Sequence, residues 1–227
     1  MCYHSSHPNE KQIRKQYKSL AVEYSQDEIF HISGFTRPYL PVLLNDQTNT
    51  VREARWKLIP YWVKDEEGAA KYANTLNAEG ESIFTKASYK PYIGKNRGLL
   101  FVTGFYEPHK LTGVKDTQNY FLYMPEKRIF TLGVVWSEFN GYPTFSVITT
   151  AANDQLAEIH NEKKRMPLIL HEADHEQWLY ENDPSAIKEL IKPFDQNLQA
   201  HQVVRVTAAR DVDTNVASVQ EPIAGSK

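Results

Sequence analysis

Seven short segments rich in β-branched and aromatic residues, each punctuated by glycine, proline or asparagine, constrain this chain to build its core from sheets. They span 28–35, 41–45, 52–58, 99–106, 120–124, 129–136 and 144–150, with a last strand expected at 202–206. Helical periodicity appears between them. Ile13, Tyr17, Leu20 and Tyr24 recur every three or four residues, which predicts an amphipathic helix over 9–24. Further helices are expected at 68–76, 154–159, 172–181 and 184–191, with Asn153 placed to cap the start of the second of these. Strands in runs with helices inserted among them point to an α+β chain rather than to repeated βαβ units.

No linker, low-complexity tract or internal repeat divides the 227 residues, so one domain over 1–210 is expected. The polar stretch 211–227 has little to bury and is expected to be a loose tail. The opening Met1-Cys2-Tyr3-His4 lacks the charged and apolar regions of a signal peptide, and no run reaches the roughly 20 apolar residues of a membrane span. One cysteine excludes an internal disulfide, and the expected compartment is the cytoplasm. A net charge of −2 excludes a general nucleic-acid coat, so any contact with DNA requires a local basic patch.

The position of that cysteine matters more than its number. Removal of Met1 would leave a chain starting with a 1,2-aminothiol, whose amine and thiol ordinarily titrate near 8 and about 8.5. Such a pair traps aldehydes. The amine forms an imine, and the thiol closes on it to give a five-membered thiazolidine. The closure is intramolecular, with an effective molarity on the order of 10⁵ M or more. The competing reading of Cys2 is a small buried apolar residue or part of a frayed terminus.

Other segments narrow the choice. Trp56-Lys57-Leu58-Ile59-Pro60-Tyr61-Trp62 ends a strand in an aromatic-proline corner, and Asn77-Ala78-Glu79-Gly80-Glu81-Ser82 follows a short helix. Gly104-Phe105-Tyr106-Glu107 closes an apolar strand on a carboxylate. Residues 146–152 lead into a helix ending at His160, and Arg165-Met166-Pro167 comes just after. In this order and spacing, with Cys2 at the start, the segments resemble the SOS-response-associated peptidase (SRAP) family from Cys2 to about Trp178.

The resemblance implies an α+β fold around twisted, barrel-like antiparallel sheets, and a cleft for single-stranded DNA carrying an abasic site. It implies a thiazolidine DNA–protein crosslink through Cys2 that shields the lesion. Asn77 would help to orient the sugar, Glu107 would act as acid and base, and His160 would assist ring opening and reversal. Tyr61 and Trp62 match an aromatic pair that wedges against bases; Lys90 and Arg165, with neighbouring Lys163 and Lys164, suit phosphates. Stacking of about 1–3 kcal/mol per base tolerates any sequence, as a lesion sensor requires. Each residue also has an ordinary structural use: Glu107 as a solvated strand end, His160 complementing a helix dipole, Asn77 as a helix cap, Tyr61 and Trp62 bracing a proline turn, and Lys163-Lys164-Arg165 as a solvated basic turn.

Four positions depart from the family pattern. Tyr3-His4 stands where Gly-Arg is usual, Glu79 replaces an arginine after Asn-Ala, Pro108 replaces a tryptophan after Glu107, and four residues rather than one separate His160 from Arg165. Two other functions therefore stay open: a cysteine peptidase or amidohydrolase with Cys2 as nucleophile and His160 as base, and a non-covalent single-stranded DNA-binding module. His171 and His175 lie four apart without a third ligand, so no metal and no cofactor are expected, and no membrane or obligate protein partner.

Overall fold

The computed structural model describes residues 2–47, 49–72, 75–113, 117–206 and 213–223. In chain order the elements are β1 (His4–His7), α1 (Glu10–Gln16), β2 (Ala21–Val22), β3 (Ile29–Ser33), β4 (Tyr39–Leu44), β5 (Thr50–Trp56), α2 (Glu66–Lys71) and β6 (Asn77–Glu79). There follow α3 (Lys90–Ile93), β7 (Arg97–Val102), β8 (Gly104–Lys110), β9 (Thr117–Tyr123), β10 (Phe130–Phe139), β11 (Tyr142–Ala151) and α4 (Asp154–Ile159). The last are β12 (Arg165–Pro167), β13 (Ile169–Leu170), α5 (His175–Tyr180), α6 (Pro184–Leu190) and β14 (Gln199–Val203). The fold is α+β.

β11, β10, β7, β4 and β5 pair in that order, and β11 then pairs β5 in parallel, with Phe145 beside Trp56, so the five strands close into a barrel. Closure removes the unpaired edges that an open sheet would expose. Alternation sorts the side chains. Leu40, Val42, Leu100, Val102, Leu132, Val134, Phe145 and Val147 belong to one apolar cluster, whereas Leu43, Leu99, Phe101, Val135 and Ile148 belong to another, with Tyr89, Tyr92 and Trp178 from the helical segments. Burial on both faces explains why 99–102 reads as a continuous apolar run rather than an alternating one.

The second sheet has the order β14–β9–β8–β1–β3. The stretch expected as one strand over 99–106 is in fact two, β7 in the barrel and β8 in the second sheet. The chain crosses over at Thr103, whose N–H and hydroxyl both donate to Ser6, to its carbonyl and its Oγ, at 3.0 and 2.8 Å. Glycine is required immediately afterwards, because a Cβ on Gly104 would lie 2.4 Å from the Phe121 ring.

Helix α1 ends at Gln16, short of the expected Tyr24. Asn9 and Gln12 form a capping box at its start, while Ala21–Val22 leave the helical path to pair with Thr50–Val51. The helix expected over 68–76 stops at Lys71, and Asn77–Glu79 add a strand beside β11. Helix α4 runs over Asp154–Ile159 as expected, with Asn153 accepting from the Leu156 N–H at 2.9 Å. The last strand lies at Gln199–Val203, a few residues before its expected place.

The region expected to be loose carries structure where it is described. In 213–223, Val219 is buried against Tyr106, Phe121 and Val203. Asn215 Oδ1 accepts from the Phe30 N–H at 2.8 Å, and Gln220 donates to the Phe30 carbonyl at 2.9 Å, so this segment satisfies the outer edge of β3. Residues 211, 212 and 224–227 of that expectation lie outside the described residues.

Candidate functional site

β1 lies antiparallel to β8 with His4 opposite Tyr106 and Ser5 opposite Phe105. That register brings the residues before His4 back toward Glu107. Cys2 is fully buried, in the same apolar cluster as Phe105 and Leu122, with its Sγ 3.9 Å from the His4 carbonyl. Burial pushes its thiol well above the ordinary range, and the Glu107 carboxylate raises it further.

Glu107 is itself fully buried, and loss of solvation pushes its carboxyl up to about 7. Across from it stands His160, the residue that closes α4, with Nδ1 3.4 Å from a Glu107 oxygen and 3.0 Å from the Arg165 carbonyl. Burial lowers the imidazole to about 4, so it is neutral at physiological pH. A carbonyl can only accept, so its contact with Nδ1 selects the tautomer protonated there and leaves the lone pair on Nε2. The site therefore holds a carboxyl that can give or take a proton near neutrality beside a neutral imidazole.

Asn77 opens β6, whose parallel pairing places it beside Val147 of β11. Its backbone carbonyl accepts from the Tyr89 hydroxyl at 2.9 Å, which fixes the strand from the other side. The side-chain amide is 8% exposed, and neither of its polar atoms meets hydrogen-bond geometry among the described residues. Burial raises the Tyr3 phenol and the Asn77 amide counters it, which puts Tyr3 at this same site.

The DNA-facing candidates are spread over the surface. Tyr61 is 63% exposed and meets half-buried Trp62 edge-on at 5.1 Å; Trp62 in turn donates to the Tyr72 hydroxyl. Lys90, Lys163 and Lys164 are exposed. Arg165 is already engaged, pairing with Glu81 at 2.8 Å and donating to the Thr149 carbonyl at 2.7 Å. Glu81 carried no signal in the sequence, where it is one acidic residue among many. His171 and His175 separate, one to Asp195 and the other to Thr131, and no cluster of three potential metal ligands occurs among the described residues.

Comparison with known proteins places this architecture. The profile of the family described as SOS response associated peptidase (SRAP) matches residues 1–209. The chain belongs to the SRAP family. Among its relatives, the abasic site processing protein YoqW of Bacillus subtilis is 28% identical over 172 residues, covering 72% of this chain and 74% of that protein. The abasic site processing protein HMCES of Rattus norvegicus is 30% identical over 183 residues, which cover 66% of this chain and 50% of HMCES. A solved structure from Bacteroides thetaiotaomicron, 28% identical, superposes with a TM-score of 0.85 over 98% of this chain and all of that one.

This SRAP chain keeps Glu107 and His160 together despite the longer loop between His160 and Arg165. Lys164 adopts a left-handed conformation (φ 47°) and returns its N–H to the His160 carbonyl at 2.9 Å, so the added residues fold into a turn. His4, where SRAP members usually carry arginine, is no cation. Burial lowers it to about 4, and it stacks on His31 with Nδ1 3.0 Å from His31 Nε2. Glu79 is exposed, so the charge reversal at that position faces solvent.

Proposed function

We propose that this protein, once Met1 is removed, binds single-stranded DNA at an abasic site and joins it covalently through Cys2 as a thiazolidine. The observation that carries this reading is the convergence of Cys2, Glu107 and His160 in one buried site at the start of the chain.

The free amine of Cys2 attacks the aldehyde carbon of the opened sugar. Glu107 carries the ammonium proton to the alkoxide, giving the neutral carbinolamine, and then protonates the departing hydroxyl; water leaves, and the iminium N–H proton returns to Glu107 to give the neutral imine. A carboxyl near 7 suits these transfers at neutral pH. The thiol then adds across the C=N bond: a C–S bond forms, the S–H proton passes to nitrogen by way of Glu107, and the nitrogen becomes the secondary amine of the ring. The balance is protein plus DNA minus one water. His160, neutral and held by Arg165, assists opening of the cyclic hemiacetal and later hydrolysis of the ring. Asn77 orients the sugar. Tyr61 and Trp62 stack on exposed bases, and Lys90, Lys163, Lys164 and Arg165 meet phosphates, with Arg165 exchanging Glu81 for the backbone.

The thiol argues against a peptidase reading. A nucleophilic cysteine in a Cys–His pair needs its thiol lowered, whereas here burial and Glu107 raise it. In aldehyde capture the amine attacks first, and the thiol adds to an electrophile already in place. The test is Cys2→Ser. It should abolish the heat-stable adduct with an abasic oligonucleotide and leave only an imine that borohydride traps. A heat-stable adduct of the serine variant without reductant would end the thiazolidine mechanism.

A further inference from the structure

A cleft of about 270 Å³ shares Tyr3 and His160 with the site and is lined also by His4, Asn119, Lys110 and Lys163. Asn119 is only 2% exposed, and its Oδ1 is buried with no hydrogen-bond partner among the described residues. A buried acceptor left alone is costly, so such an atom in a cleft wall asks for a donor from a ligand.

The other walls define that ligand. His4 is bound through Nδ1 to His31, whose own Nδ1 lies 2.6 Å from the Thr214 hydroxyl, so the chain Thr214–His31–His4 holds the ring in place. Its Nε2 makes no hydrogen bond among the described residues. Tyr3 supplies an aromatic ring, and Lys110 and Lys163 line the same cleft, the former paired with Glu162. A phosphate offers acceptors only and would leave Asn119 Oδ1 unsatisfied. A nucleobase offers N–H donors, acceptors and a flat face together.

We propose that this cleft receives the base of the nucleotide next to the abasic site, with Asn119 Oδ1 accepting from a base N–H and His4 Nε2 meeting its edge. The inference rests on the crosslinking function and deepens it. In place of a phosphate contact from arginine, the chain gains a contact that depends on which base adjoins the lesion, so at this one neighbour it departs from the sequence tolerance expected of a lesion sensor.

The test uses the full protein and single-stranded oligonucleotides with a central tetrahydrofuran, an unreactive abasic analogue, and each of the four bases in turn on either side. Binding followed by fluorescence anisotropy should differ at least threefold among the bases at one of the two neighbours. It should weaken about tenfold when that base is replaced by a second tetrahydrofuran. Asn119→Ala and, separately, His4→Ala should flatten the preference while each keeps a cooperative thermal transition. Affinities equal within twofold for all bases on both sides would overturn the proposal, as would a folded Asn119→Ala protein that keeps the full preference. Adduct yield with the true abasic versions separates the two claims. Base preference without adduct would count against crosslinking alone, and adduct without base preference against the cleft alone.

Discussion

The Glu107–His160 centre and the Arg165–Glu81 rim both pair an acid with a base, and they differ in the property that decides their chemistry. Glu107 and His160 are at most a few per cent exposed, and burial drives the carboxyl up to about 7 and the imidazole down to about 4, so both are largely or partly neutral near pH 7. Glu81 sits in water at the rim, where Arg165 and backbone N–H groups outweigh its partial burial and hold it below the ordinary carboxylate range, as a full charge. In the proposed reaction burial suits the first pair to proton transfer, whereas the second, with Glu81 half exposed, is a charge pair for which a phosphate would compete.

Removing the acid of the buried pair should have the largest effect. Glu107→Gln is expected to slow adduct formation about 100-fold, within the range of general acid–base catalysis, and to remove the inflection near pH 7 from the rate profile. Single-turnover crosslinking from pH 5.5 to 8.5 measures both. An unchanged profile would move the proton transfers elsewhere.

Tyr61→Ala should come next. Loss of one stacked base, about 1–3 kcal/mol, corresponds to roughly a 5- to 150-fold weaker affinity for single-stranded DNA, read by anisotropy at fixed salt. Crosslinking at saturating DNA should hardly change, because Tyr61 touches no reacting group.

A smaller effect with the opposite sign tests the rim. Glu81→Gln frees Arg165, so binding should tighten a few-fold and the slope of log affinity against log salt should steepen by about 0.7. Equal slopes would mean that Arg165 never meets a phosphate.

Stability against pH gives the finest comparison. Glu107 has a folded pKa raised from about 4.3 to about 7, so in that window the native state holds a proton that the unfolded chain has lost. Its contribution falls as pH rises. His160, lowered to about 4, does the reverse between about 4 and 6.5, where stability grows with pH. In denaturant titrations, the stability of wild type minus that of Glu107→Gln should fall by on the order of 1 kcal/mol per pH unit between pH 5 and 7. A flat difference would mean that the carboxyl is not desolvated.

The sequence exposed some of this directly. Asn153 followed by a short amphipathic run defined α4 and so placed His160, because a cap and a periodicity are local signals. Residues 99–106 read as one strand because both halves are apolar; nothing local shows that Thr103 donates to Ser6, nearly a hundred residues away in sequence, and passes the chain between sheets. The engagement of Arg165 by Glu81 and the burial of Asn119 are likewise products of tertiary placement. Cys2, Glu107 and His160 are far apart along the chain, and only the register of β1 on β8 and the turn after α4 bring them together.

The intact mass of the purified protein after incubation with a short single-stranded oligonucleotide carrying one abasic site is the most direct test of the covalent chemistry. The expected product lacks Met1, survives heating without reductant, and weighs protein plus DNA minus one water. Protein lacking Met1 that binds the oligonucleotide yet yields no such adduct would contradict capture by Cys2.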